Sequence, residues 1–233
     1  MKTGTRILWL VTMLPMIITA AAVQFMPDSM PAHYNFEGEI DRWGSKYENL
    51  IMPVFIIAMT AAWLAVIAAM NKKAAREDLD EKQRTEAAAN AKVLYYVAVA
   101  SVLFETAVQC VMLYTGFKAV NSGGGGLNAD FYKISGVILG VFITVTGNIV
   151  PKAKRNTLVG IRTKWSLADD ETWMASNRFG GGLLMIGGLC TITESLILNG
   201  IITVIIAMAI LLACCGMCVL YSYLVYTGRK RVR

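Results

Sequence analysis

The chain has 233 residues, a formal net charge of +6, 56% hydrophobic residues and a mean hydropathy of +0.53. Its apolar residues stand in long blocks rather than at the scattered spacing of a soluble core, which excludes an ordinary water-soluble domain and a disordered chain. A helix that crosses a bilayer needs about 20 mostly apolar residues, because every backbone N–H and C=O must find its partner inside the helix. Six stretches meet that length: Ile7–Met26, Leu50–Met70, Val93–Gly116, Phe131–Val150, Phe179–Leu198 and Ile201–Tyr226. They predict an all-α polytopic membrane protein with six transmembrane helices.

In the first block, Lys2 and Arg6 precede the apolar run and Ala20–Ala22 offers small residues, as in a secretion signal. The run to Met26 is longer than the usual apolar region of about 7–15 residues, so the block is read as a retained helix, kinked at Pro15. The segment from Met26 to Lys46 follows, dense in Pro, Gly, Asn, Asp and aromatic residues, and reads as an ordered, turn-rich cap. Asp28, Glu37, Glu39, Asp41 and Glu48 against Arg42 and Lys46 make it acidic, which draws a cationic ligand. His33, the single histidine, has two readings: with Glu37 and Asp41 as ligands to a metal, or as a hydrogen-bonded side chain holding the loop. The second is preferred, and no metal site is assigned.

After the second span, Asn71–Asn90 mixes acidic, basic and alanine residues and should prolong the second and third helices into water. The third span carries Glu105 with Gln109 one turn later, and the fifth carries Glu194 among Thr191, Thr193 and Ser195. Ionisable groups at that depth face a bundle interior or a cavity, as packing residues or as a cation or proton site. The run Ser122–Leu127, with four consecutive glycines, reads as a mobile connection. Between the fourth and fifth spans, residues 147–178 combine Asn, Pro, Gly, Arg-Thr and Trp in a compact, basic stretch. Here Asp169-Asp170-Glu171 after Ser166 resembles the start of a short interfacial helix with Trp173 on its buried face. Arg155 and Arg162 suit two-pronged contact with a carboxylate or phosphate, and Trp165 suits a lipid or ligand edge. Asn199 and Gly200 separate the last two spans as a tight turn.

With the N-terminus inside, only Arg42, Lys46, Lys118 and Lys133 of the 22 Lys and Arg residues fall outside. That positive-inside bias places both termini in the cytoplasm and attributes the charge to topology and anionic lipid rather than to nucleic acid. All five cysteines lie within spans, so no disulfide framework is expected. There is no Ser-His-Asp order, His-Glu-x-x-His, phosphate-binding glycine loop or Asp-rich prenyl-binding motif, and no cofactor and no enzyme activity is expected.

Two motifs carry a family resemblance. The first consists of Pro31, His33, Asn35, Gly38, Asp41, Trp43, Gly44, Ser45 and Lys46. The second consists of Gly147-Asn148, Pro151-Lys152, Lys154-Arg155-Asn156, Gly160-Ile161-Arg162-Thr163, Trp165, Leu167, Trp173 and Arg178. With them the chain resembles the SdpI family of bacterial membrane proteins and the small N-terminal domain of unknown function often attached to it. One departure is that the family pattern commonly ends Thr-His-Arg, where this chain has Ser176-Asn177-Arg178. The resemblance implies a two-helix unit over 1–90 and a four-helix unit over 91–233. It also implies a sensor and immunity protein that meets a peptide toxin outside the cell and a transcriptional repressor inside.

Two functions therefore stand. In the first, an immunity receptor uses His33, Asn35, Gly38, Asp41, Trp43, Gly44 and Lys46 for an extracellular ligand. Asn148, Pro151, Lys152, Arg155, Asn156, Gly160, Arg162, Thr163, Trp165, Trp173 and Arg178 then serve a cytoplasmic regulator protein or anionic lipid. In the second, a transporter of a small molecule, ion or proton uses Glu105, Gln109 and Glu194.

Overall fold

The computed structural model describes residues 2–123, 125–127 and 129–232, without the side chains at 2, 129 and 229–232. Gly124 of the glycine run, and Arg233 with the other basic side chains of the C-terminus, lie outside that description.

In chain order the elements are helix α1 (Lys2–Val23), strands β1 (Ser29–Tyr34) and β2 (Ile40–Ser45), a 3-10 turn (Lys46–Leu50), α2 (Ile51–Ala74), α3 (Glu81–Asn121), α4 (Ala129–Ile149), a second 3-10 turn (Val150–Lys152), α5 (Asp170–Ile197) and α6 (Ile201–Val232). Among the described residues six helices are long and apolar enough to cross a membrane, and no more than 33% of any apolar window is buried inside the protein. Large apolar side chains such as Leu10, Ile205 and Leu212 are exposed. In water such a surface would drive aggregation, whereas lipid covers it at no cost. The chain is thus an all-α, six-span, multi-pass membrane protein.

The six expected spans coincide with the six helices. α3 has 41 residues, about 60 Å at 1.5 Å per residue, twice a hydrocarbon core of about 30 Å. Its polar first turns, Glu81–Asn90, are the predicted extension into water. The turn at Asn199–Gly200 is also present: Gly200 has φ +70° and its carbonyl accepts the Thr203 N–H at 3.2 Å. In place of a short interfacial helix before the fifth span, residues 170–178 are the first turns of α5 itself. The start comes from Asp169, whose Oδ1 accepts the Thr172 N–H at 2.7 Å and whose Oδ2 accepts the Thr172 hydroxyl at 3.0 Å. Ser166 instead closes a turn with Thr163.

The chain divides into two compact units, Met1–Ala62 with Ser101–Leu139 and Thr191–Ala207, and Trp63–Ala100 with Gly140–Cys190 and Met208–Arg233. In the first, buried Val23, Met26, Met30 and Leu113 form an apolar cluster. Polar pairs fix helix faces within it: the Thr12 and Thr60 hydroxyls lie 2.9 Å apart, and Gln109 Nε2 donates to Thr19 Oγ1 at 3.1 Å and the Asn49 carbonyl at 3.0 Å. In the second, Val93, Ile149, Ala153 and Trp173 form the cluster. Within each unit α4 and α5 approach through small residues. Gly136 makes room for the Ser195 side chain in the first. In the second, a methyl group on Gly188 would stand 2.6 Å from the Gly140 carbonyl oxygen, and one on Gly147 would stand 2.7 Å from that of Gly181. Small residues at such spacing let helix backbones pack closely in lipid, where no hydrophobic force draws them together.

Candidate functional site: a β-hairpin cap and a stapled loop

The predicted cap is a two-stranded antiparallel hairpin, an element that the sequence reading did not foresee. Its turn is built by Asn35 and Gly38: the Asn35 carbonyl accepts the Gly38 N–H at 3.0 Å, Asn35 Oδ1 accepts the Glu39 N–H at 2.9 Å, and Gly38 takes φ +82°, a conformation that favours glycine. Behind the turn the Gly38 carbonyl accepts the Leu127 N–H at 2.6 Å. Gly126 sits so close to Gly38 that a side chain there would overlap its carbonyl. This end of the glycine run is therefore a docking surface for the hairpin rather than a free tether.

Across the strands, His33 Nδ1 and Asp41 Oδ1 are 2.7 Å apart on the exposed face, which is the hydrogen-bonded reading of the histidine. Trp43 is exposed. Gly44 and Lys46 have structural roles. The Glu48 carboxylate lies directly over Gly44, where a methyl group would collide with it. From there it accepts the Ser45 N–H at 3.2 Å and pairs with Arg42 at 3.0 Å, completing a capping box at the turn that leads into α2. Lys46 Nζ reaches Asp28 at 2.9 Å. Burial raises the Tyr34 phenol pKa above its ordinary value, and its hydroxyl is buried with no hydrogen-bond partner.

The 150–169 stretch is held by side chains that fasten its backbone. Asn156 Oδ1 accepts the Leu158 and Val159 N–H groups at 2.7 and 2.9 Å, while its Nδ2 donates to the Lys154 carbonyl at 2.6 Å. Asn90, on α3, accepts the Lys154 N–H at 2.9 Å. Trp173, 1% exposed, donates its indole N–H to the Ala153 carbonyl at 2.8 Å. Asn177, also 1% exposed, accepts the Ile161 N–H at 2.7 Å and donates to the Trp173 carbonyl at 3.0 Å. Gly160 has φ +122°, and a methyl group there would stand 2.6 Å from Asn177 Oδ1 and 2.9 Å from the Trp173 ring. Asn177 is the position where the resembled pattern carries histidine. An imidazole Nδ1 sits on the same side-chain atom position as Asn Oδ1, so either residue can accept the Ile161 N–H.

The two arginines expected to face a partner are turned largely toward the chain. Arg155 donates to the Leu167 and Ala168 carbonyls, each at 3.1 Å, and pairs with Asp170 at 2.8 Å; Lys82 pairs with the other Asp170 oxygen at 2.6 Å. Arg162, exposed, donates to the Thr157 carbonyl at 2.6 Å. Thr163 meets Ser222 of α6 at 2.7 Å, and Trp165 packs edge-on to Tyr223 at 5.1 Å with Lys164 over its ring at 5.0 Å. Asn148, Pro151, Lys152, Lys154 and Arg178 are exposed. Pro151 opens the 3-10 turn after α4 and lies against Gly181.

Of the intramembrane group, Gln109 bonds Thr19 and Asn49. Glu105 and Glu194 each have one buried carboxylate oxygen without a hydrogen-bond partner, and the other oxygen of Glu194 accepts from Ser195 at 3.2 Å. Among the described residues no group of three His, Cys, Asp or Glu side chains is placed to hold a metal ion. Sequence reading missed Asn90, Asp170, Ser166, Asn177, Ser222 and Glu48 as fastening residues. Of these, only Glu48, three residues after Ser45, carried a local signal, the spacing of a capping box.

A family profile described as Domain of unknown function (DUF1648) matches residues 10–57, which contain the hairpin. A second, described as SdpI/YfhL protein family, matches residues 152–222, which contain the stapled loop and most of α5 and α6. The chain is 32% identical over 88 residues to the protein named Immunity protein SdpI of Bacillus subtilis (strain 168). That alignment covers 38% of this chain and 42% of the relative, so the chain spans less than half the length of the curated relative it matches. No solved structure matches the chain. Over its loop and last two helices this multi-pass membrane protein is thus similar to the SdpI/YfhL family, and over the hairpin region to the DUF1648 domain.

Proposed function

We propose that the chain is a membrane immunity receptor that binds an extracellular peptide toxin at the hairpin and couples its occupancy to a cytoplasmic regulator at the 147–178 loop. The observation that carries this reading is an acidic hairpin built as an ordered cap, with the Gly38 carbonyl bonded to Leu127 N, in a chain with sequence identity to a protein named for immunity. The distribution of Lys and Arg supports the orientation, hairpin outside and loop inside. The reading needs no catalytic step. Binding at one end biases the other only if the bundle has two arrangements with different affinities. On the inner side, exposed Lys152, Lys154 and Arg178 are available to a regulator protein or to anionic headgroups.

A transporter is the second reading, favoured by the unpartnered carboxylate oxygens of Glu105 and Glu194. Cells expressing the chain, challenged with peptide fractions from toxin-producing bacteria, separate the two. Protection by wild type, with no solute flux in reconstituted vesicles, supports the receptor. Flux abolished by Glu105→Gln or Glu194→Gln, with no protection, contradicts it. Pull-down from native membranes after peptide challenge identifies the inner partner.

A further inference from the structure

Under the hairpin lies a cleft of about 660 Å³, within the usual range of ligand sites, roughly 300–1,000 Å³. All of its described lining belongs to one compact unit. Residues 31–34 of β1 line it from the hairpin, and Ile51, Met52 and Phe55 of α2, Met112 of α3 and Phe131 of α4 line it from three apolar spans. The span side is apolar throughout apart from Gln109, and its two methionines adapt to irregular shapes.

The polar side chains around the cleft are engaged within the protein. Arg42 and Glu48 pair at 3.0 Å and cancel in charge, His33 meets Asp41 at 2.7 Å, and Ser45 Oγ accepts the Tyr47 N–H at 3.4 Å. Asn49 Nδ2 donates to the Lys46 carbonyl at 2.9 Å, and Gln109 Nε2 is held by Thr19 and the Asn49 carbonyl. The Tyr34 hydroxyl is buried and closed to an occupant. What the cleft offers is therefore apolar surface. Such a space holds water poorly and takes up apolar molecules, whereas a charged chain or free anion would lose its hydration there without gaining a partner.

The source of an apolar occupant follows from the mouth of the cleft. Ile51 and Phe55 line it and are also 67% and 57% exposed, on a span whose apolar window is only 17% buried inside the protein. In a bilayer those exposed side chains face hydrocarbon. The cleft is thus continuous with the lipid-facing surface of α2, and the bilayer itself supplies the nearest apolar material.

We propose that this cleft takes up an acyl chain of a phospholipid from the leaflet on the hairpin's side, entering past Ile51 and Phe55 and lying against Met52, Met112 and the β1 strand. The hairpin is then seated partly on lipid hydrocarbon rather than on protein alone. This goes beyond the receptor reading above and does not depend on it.

The test uses the full chain in nanodiscs of phosphatidylcholine that carries a diazirine on one acyl chain. After irradiation, peptide mass spectrometry maps where the acyl chain has inserted. Lipid touches the spans in any case, so the reading is taken on β1, residues 29–34, which lies outside them. Crosslinks on β1 are expected in the wild type. Met52→Trp and Met112→Trp fill the cleft from two different helices, and each should lose the β1 crosslinks while keeping those on α6 and monodisperse elution. Met112→Leu, close in volume, should keep them. Native mass spectrometry should show a phospholipid retained by the wild type and lost from the filled variants. Wild-type crosslinks confined to the spans overturn the proposal, whether or not a filled variant folds. So do β1 crosslinks that persist unchanged in both filled variants, or a free fatty acid retained in place of phospholipid. The readout is lipid contact, so it stands or falls separately from protection of cells.

Discussion

Replacing Asn177 with leucine removes the acceptor for the Ile161 N–H and the donor to the Trp173 carbonyl, 2.7 and 3.0 Å away, at a residue 1% exposed. Leucine keeps most of the volume, so the change isolates the polar role from packing. The Trp173 carbonyl lies within α5 and retains its helical partner. The Ile161 N–H does not, and leaving such a donor unpaired costs about 1–3 kcal/mol. A value of about 2 kcal/mol corresponds to roughly a thirtyfold rise in the opening equilibrium of that backbone group. Hydrogen exchange by mass spectrometry, on peptides covering residues 157–165 of the protein in nanodiscs, reads this rise directly. Asn177→His should stay close to wild type, because Nδ1 can accept the same proton. Exchange in Asn177→Leu indistinguishable from wild type would refute the claim that side-chain staples, rather than lipid contact, shape the loop.

The same geometry gives further expectations. Arg155→Lys breaks contacts to two carbonyls and Asp170 and should destabilise the loop by about 1 kcal/mol, discounted for the 38% side-chain exposure; Arg162→Lys loses one carbonyl contact and should speed exchange less over the same peptides. Gly44→Ala pushes the Glu48 carboxylate off its capping position and should cost about 1 kcal/mol, read as faster protease cutting within residues 26–50. Gly188→Leu drives a side chain into α4 and should lower the melting temperature or abolish monodisperse purification. Gly182→Ala, where an added methyl meets nothing within 4 Å, should do neither.

The spans, the Asn199–Gly200 turn and the burial of Trp173 were legible because they depend on composition along one segment: bilayer thickness sets helix length, glycine marks the turn, and a large ring near a helix start seeks cover. The hairpin was not legible. Pro31 interrupts β1 and the register shifts between Pro31 and Tyr34, so neither strand shows clean alternation, and only turn chemistry was visible. The inward aim of Arg155 was hidden for a different reason. Its partners, Asp170 and the carbonyls of Leu167 and Ala168, are more than ten residues away, and charge alone does not show whether a guanidinium meets its own chain or a neighbour. Asn156 in the loop and Asn177 on α5 act through side-chain geometry that composition does not carry, so nothing local separated them from Asn148, which is exposed.

The receptor account requires the hairpin and the 150–169 loop to face opposite sides of the membrane. In a variant with Cys110, Cys190, Cys214, Cys215 and Cys218 replaced by alanine, Ser29→Cys and Ala168→Cys are introduced separately, both at exposed positions. Intact cells are then treated with a membrane-impermeant maleimide. The account predicts labelling of Ser29→Cys in intact cells and of Ala168→Cys only after permeabilisation; labelling of Ala168→Cys from outside would contradict it.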